Sequence, residues 1–312
     1  MLAVPHQPSH PFPHLLPKPM VPVVNRPLIY YTLSLLERHA VREVAVNLHH
    51  LGDKIHSELS AGHNLGITIT YSFENPILGT GGGVMRMRDF LSKGTFFLVN
   101  GDILTGVDLQ QVLRFHRERK AAATMVVRKY PNAGGYTKLG IDEENWIVAF
   151  KDVHRSVRGK ISPVMFCGVH VLEPIIFDFL PRKGFSSINS QGYSAMMKAG
   201  LNVAAFVDKS TWFDLGTPAD YLVANRELLS GRVKVPQMPV LLSQDFSDGV
   251  VLGKGVVVES GVQLGPEVAV GDKCILEKNA RIARSVIWPH TVVPAGADLN
   301  QVILAEKQLI KV

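Results

Sequence analysis

Cysteine is nearly absent. The 312-residue chain has two, Cys167 and Cys274, far apart and each in an apolar stretch where a thiol acts as a small hydrophobe, which excludes a disulfide framework and a thiolate metal site. No apolar run reaches the roughly 20 residues of a membrane span. The Pro- and His-rich start has no apolar core of the kind a secretion signal carries. A soluble, cytoplasmic protein with no membrane partner is expected. Charge is sparse, 19% of residues, with a net +6. The Lys and Arg are interspersed with acids, as in "RMRDFLSKG" and "HRERK", and lack interleaved aromatics, which argues against nucleic acid and leaves small anionic ligands as partners. Glycine is missing before Gly52 and arginine before Arg26. The first sixteen residues carry instead Pro5, Pro8, Pro11 and Pro13 with His6, His10 and His14. The prolines break the helix that would align those histidines as metal ligands.

With 46% hydrophobic residues the chain can bury a large core, and its length suits two domains. From Pro17 to about Leu229, short strand-like runs alternate with helical ones, the pattern of a layered α/β domain with a mostly parallel sheet. Asn25 and Pro27 suit a helix start, with Leu28, Leu35 and Leu36 on one face. "EVAVNL", "ITITYS", "TFFLVN" and "AATMVVRK" read as strands, "TFFLVN" as a central one. Asp108 is placed to cap one helix, and Thr217, Pro218 and Asp220 to start another. The Gly- and Pro-containing stretch "SGRVKVPQMPVLLS" then separates a first domain, residues 1–235 with an atypical start over 1–16, from a second over 244–312.

In that second domain apolar residues recur every six positions. Val250, Val256, Val262, Val268, Cys274, Ala280, Val286 and Val292 form one column, and Leu252, Val258, Leu264, Val270, Leu276 and Ile282 another. Six is the period of a parallel β-helix, each six supplying one short strand, with Gly253, Gly255, Gly261, Gly265 and Gly271 at corners. Such a stack offers an association surface, Trp288 among its exposed apolar residues, so a homo-oligomer is expected.

Chemistry is sought in the first domain. "FFLVNGD" sets Asn100, Gly101 and Asp102 just past an apolar strand, where open α/β sheets bind ligands. Asp102 suits Mg²⁺, which takes one or two carboxylates with waters and phosphate oxygens; a plain Asn-Gly-Asp turn is the competing reading. "TWFDLGTPADY" places Asp214 at a second element junction, so that two aspartates could bridge one metal. In "SFENPILGTGGGVMRM", Gly79, Gly81, Gly82 and Gly83 could let backbone approach a base or phosphate and then open a helix; a flexible connection is equally compatible. His49 and His50 follow a strand and read as packing or pocket wall.

Taken in order, "LLPKPMVPVVNRPLIYYTL", "ENPILGTGGGV", "VNGD", "FCGVHVLEP", "WFDLGTPADYLVANRELL" and the six-residue repeats resemble the sugar-1-phosphate nucleotidylyltransferases, most nearly the mannose-1-phosphate guanylyltransferase-like enzymes. The likeness covers Pro17 to the C-terminus. It implies a Rossmann-like nucleotidyltransferase domain with a C-terminal left-handed parallel β-helix, and transfer of a nucleotidyl group from a nucleoside triphosphate to a sugar 1-phosphate, of GDP-mannose type, with release of pyrophosphate. By that resemblance Lys18 contacts the nucleotide phosphates, and Asp102 and Asp214 hold Mg²⁺. Glu74, Gly79, Thr80 and Gly81, with Asn100 and Gly101, lie on the nucleotide side. Tyr136 with Thr137, Lys151 and Gly168 lie on the sugar-phosphate side.

Two family features are replaced. A Gly-rich, Arg-containing loop of the form G-x-G-T-R-x-x-P is expected where this chain has "AVPHQPSHPFPHLLPKP", whose prolines remove backbone donors. The usual Glu-Lys-Pro is here "AFKDVHRS", with Lys151 as substitute. Three explanations stay open: a catalytically inactive paralogue that binds nucleotide sugar or a partner subunit, a reading-frame change over the first sixteen residues, or a Pro-His segment that holds phosphate in its own way.

Overall fold

The computed structural model describes residues 1–3, 16–60, 66–129, 138–156, 159–236 and 249–312. Tyr136, Thr137 and the Pro-His stretch over 4–15 lie outside these. By internal contacts the chain forms two compact units, each discontinuous in sequence: Met1–His6, Leu36–Gly101 and Val107–Ser210 in the first, Gln7–Leu35, Asp102–Gly106 and Thr211–Val312 in the second. Of the composition boundary, residues 230–243, those from 237 onward are outside the described residues.

The first unit is built on one large sheet. Leu2–Ala3 lies between Glu43–Leu48 and Phe96–Asn100, parallel to both, and Thr68–Phe73 extends this parallel part. The rest of the sheet differs from the mostly parallel one that the strand-helix alternation implies. Ser162–Leu172 runs antiparallel to Phe96–Asn100, Ala123–Arg128 and Lys138–Ile141, and Ile147–Phe150 is antiparallel to Lys138–Ile141. The short connection from Ile141 to Ile147 allows only antiparallel pairing, because a parallel partner needs a crossover of a dozen or more residues, whereas the partners of Ser162–Leu172 are remote in sequence. The sheet is therefore mixed. The helix Leu109–Arg119 starts where Asp108 accepts from the backbone N–H of Gln110 and Gln111, at 2.9 and 3.0 Å.

In the second unit the repeats close into three stacked parallel sheets, the β-helix expected from the period of six. Val250 pairs with Val268, Val257 with Ile275, and Gln263 with Arg281. The next coil is one residue shorter: Ala269, not Val268, pairs with Val286, and Ile275 with Val292. The corner after Ile282, closed by Arg284 at φ 49°, has lost a residue relative to the one after Leu264. Strict counting in sixes therefore fails beyond it. Ser285 and Thr291 take the interior positions assigned by period to Val286 and Val292, and Val292 is 47% exposed. The buried hydroxyls stay satisfied: Ser285 Oγ donates to Ala283 O and accepts from Val302 N, and Thr291 Oγ1 accepts from Glu306 N.

The outward column Val251, Ala269, Val286 and Ile303 is covered by the helix Pro218–Leu229 through Tyr221, Leu222 and Leu228. That helix is capped as its sequence predicts, Thr217 Oγ1 accepting from Asp220 N at 3.1 Å. Trp288 is not an exposed association residue. It is buried in this same cluster, with Nε1 donating to Tyr221 Oη at 3.2 Å.

Candidate functional site

In the second unit two short strands, Ile103–Thr105 and Trp212–Asp214, pair antiparallel with Asp214 opposite Ile103. This register, reinforced by Leu215 N donating to Asp102 O at 3.4 Å, brings together two aspartates that are remote in sequence. Lys18 opens a one-turn helix between Pro17 and Pro19. Its ammonium lies 2.7 Å from Asp102 Oδ2 and 3.7 Å from Asp214 Oδ1. Lys18 and Asp102 are buried, whereas the Asp214 side chain keeps 29% of its exposure. One cation thus serves two carboxylates, and Asp102 Oδ1 is buried with no hydrogen-bond partner among the described residues. Burial, then the charge of Asp102, raises the Asp214 pKa; Lys18 pulls it back only in part. An unpartnered carboxylate oxygen beside a second, underneutralised carboxylate is a donor set that suits a hard divalent cation.

A second constellation lies in the first unit, at the carboxyl ends of the parallel strands. Glu74, past the end of Thr68–Phe73, is buried; its Oε1 accepts from Asn47 Nδ2 at 3.2 Å and its Oε2 from Leu78 N at 3.0 Å. His49 Nδ1 lies 2.8 Å from Glu74 O, a hydrogen bond within the fold; His50 is exposed. The glycines begin the helix Gly79–Arg86. Gly79 needs its glycine twice over: its φ is +71°, and a Cβ would stand 2.6 Å from Ser186 O. Gly81, Gly82 and Gly83 are buried, and a Cβ on any of them would come within 2.7 Å of Ser186, Gly184 or Glu74. These three therefore admit the chain's own segment 184–188 and the Glu74 carboxylate. Half-buried Thr80 accepts from Ile188 N at 3.1 Å.

Asn100 ends its strand next to the bulge of Ser162–Leu172. Val169 pairs with Val99, and the register against Ala123–Arg128 shifts between Phe166 and His170. Gly168, φ +81°, sits in that bulge opposite Asn100 and is buried, a backbone conformation that favours glycine. Lys151 is exposed and donates to Ser190 Oγ. The structure thus groups Lys18 with Asp102 and Asp214, Glu74 with Gly79, Thr80 and Gly81, and Gly168 with Asn100. Asn47 was not singled out from the sequence, although a polar residue closing an apolar strand is a usable signal. The segment Ser186–Tyr193, which meets both Thr80 and Lys151, carried no sequence signal.

Among known proteins, the nucleotidyl transferase family model matches residues 10–231. A UTP–glucose-1-phosphate uridylyltransferase of Synechocystis is 27% identical, over 93% of this chain and 82% of that protein. A mannose-1-phosphate guanylyltransferase of Mycobacterium tuberculosis is 27% identical, over 91% and 77% respectively. The crystal structure of HddC from Yersinia pseudotuberculosis complexed with GMP-PN shares the fold, with TM-score 0.59, 21% identity and coverage of 72% of this chain and 96% of that one.

Proposed function

The chain belongs to the nucleotidyl transferase family, and from that premise we propose that it transfers a nucleotidyl group from a nucleoside triphosphate to a sugar 1-phosphate, forming a nucleotide sugar of GDP-mannose type. A phosphate oxygen of the sugar 1-phosphate attacks the α-phosphorus, the bond from that phosphorus to the bridging oxygen breaks, and pyrophosphate leaves with the electron pair. Phosphate is already nucleophilic at neutral pH, so the protein's work is to position the reactants and neutralise charge. The observation that carries this reading is the Lys18–Asp102–Asp214 cluster with its unpartnered Asp102 oxygen.

Family members generally use a divalent metal, and these two aspartates fit one. Mg²⁺ bound there would neutralise charge on phosphate oxygens. Lys18 holds the carboxylates in place and adds positive charge beside them. Glu74 fixes the turn leading to Gly79, Thr80 and Gly81, which flank the nucleotide. Asn100 and Gly101 belong to the nucleotide side as well, and Gly168, Lys151 and Tyr136 to the sugar-phosphate side. Buried thiols outside any disulfide fit the reducing cytoplasm; burial pushes that of Cys167 up to about 12. No helix among the described residues is long and apolar enough to cross a membrane.

Pyrophosphate release, measured for GTP with mannose 1-phosphate against UTP with glucose 1-phosphate, tests the assignment. Preference for the first pair is expected, and preference for the second would replace it. The second reading, a non-catalytic paralogue, is favoured by the lack of Gly before Gly52 and Arg before Arg26. It gains if no pair turns over while the protein binds nucleotide sugar.

The homo-oligomer is assigned to a β-helix face. Val257, Ile275 and Val292 stack in register on its outside, 52%, 39% and 47% exposed, while the face carrying Gln263, Arg281 and Asp298 is polar and the third is covered by the helix Pro218–Leu229. Lys254, Asp272 and Lys273 lie at one corner of the apolar face and Glu259, Glu277 and Lys278 at the other, so the first corner is net positive and the second net negative. A two-fold axis along the stack sets corners of opposite net charge against each other, which favours a second copy with its coils parallel. Ile275→Lys, at a solvent-facing position, should convert the assembly to monomer in light scattering. An unchanged mass would remove this face from the interface.

A further inference from the structure

We propose that a basic hollow between the helix Gly79–Arg86 and the segment 181–184 is a regulatory site for a small phosphorylated anion, and that its occupancy tunes nucleotide affinity. The hollow, about 240 Å³, is lined by Arg86, Arg182 and Lys183 with Leu78, Gly82 and Gly184, and no carboxylate lines it. All three cations are exposed. Among the described residues none of them makes an ion pair. Three like charges around a concavity repel one another and focus a positive field into it, an arrangement that a bound polyanion relieves. The volume lies below the roughly 300–1,000 Å³ of ordinary ligand pockets. It therefore suits inorganic phosphate or a small phosphate ester rather than a nucleotide.

The hollow is mechanically tied to the helix that carries Thr80. Gly81 N and Gly82 N both donate to Ser186 O, at 2.8 and 3.3 Å, and Ser186 N donates to Leu78 O at 2.9 Å. Leu78 N in turn donates to the Glu74 carboxylate. A Cβ on Gly82 would stand 2.7 Å from Gly184 O, so helix and segment have no slack at this point. An anion drawing Arg86 towards Arg182 and Lys183 acts on the turn Glu74–Gly81 through these bonds. This regulatory consequence rests on the proposed nucleotide-side role of that turn, whereas the anion site itself does not.

The test is calorimetry on the full chain at low ionic strength, with inorganic phosphate and with glucose 6-phosphate as separate probes. Arg182→Gln/Lys183→Gln, and separately Arg86→Gln, should each weaken binding at least tenfold, since each removes charge-assisted contacts; all three residues are exposed, so the fold should survive. Tighter binding of one probe tells free phosphate from a phosphate ester as the ligand. Equal binding by parent and variants, or none up to 20 mM (about the weakest affinity of interest on the millimolar scale), overturns the site. Affinity for a non-hydrolysable nucleoside triphosphate is then measured with and without the better probe. A change of about threefold or more in the parent, absent from the double variant, supports the coupling, and no change overturns it. Both readouts are binding, so an inactive protein would defeat the proposed reaction and leave this test intact.

Discussion

Asp102→Asn and Asp214→Asn should each lower pyrophosphate release by about 10²–10³ at saturating Mg²⁺, the scale seen when one preorganised electrostatic contact to a developing charge is lost. The expectation rests on placement. Asp102 is buried against Lys18 with one oxygen unpartnered, and Asp214 is held in an environment that resists its ionisation, a cost a protein retains where the charge is used. The two variants should differ in stability. Asp214→Asn removes a carboxylate that burial and Asp102 disfavour, so it should be no less stable than the parent at pH 7. Asp102→Asn takes from Lys18 its nearest partner and should be less stable. Circular dichroism of both variants guards against unfolding as the cause of lost turnover. Near-parental turnover in either would show that its carboxylate neither holds metal nor offsets phosphate charge.

The elements were legible where local chemistry decides them. Asp108 and Thr217 cap the helices they precede, and the period of six announced the β-helix. The slip after Ile282 was not legible, because shortening a corner leaves the same kinds of residue in the row. Val286 remains apolar while turning outward under the helix Pro218–Leu229, and Ser285 turns inward with its hydroxyl satisfied. Asp102 and Asp214 were each legible as carboxylates at element ends. Their meeting depends on the pairing of two three-residue strands far apart in the chain, a tertiary register no local pattern encodes. The glycines of "GTGGG" suggested room for a ligand, yet Gly81, Gly82 and Gly83 make room for segment 184–188 and Glu74, neither adjacent in sequence. Antiparallel pairing by Ser162–Leu172 was hidden for the same reason.

Lys18→Met should cost about 3–5 kcal/mol of stability at pH 7, because it removes the cation from a buried pair and leaves the anions uncompensated. The Lys18 and Asp102 side chains keep only 4% and 9% of their exposure, so water cannot replace the lost ammonium. Adding Asp102→Asn to Lys18→Met should recover much of the loss, since the double variant buries one carboxylate fewer; this non-additivity is the signature of a direct pair. The pH dependence follows from Asp214. Its folded pKa already lies above the ordinary 3.8, and without Lys18 it should rise further. A folded pKa above the unfolded one means that the folded state binds the proton more tightly, so stability is retained at low pH and lost as pH climbs from the unfolded value through the folded one. The deficit of Lys18→Met relative to the parent should therefore be largest at neutral pH and shrink as pH falls towards the ordinary carboxylate range. Urea unfolding of parent, single and double variants at pH 7.5 and 4.5 measures it. A deficit equal at both pH values and untouched by Asp102→Asn would mean that Lys18 stabilises the fold through the packing of its aliphatic stem rather than through the two aspartates.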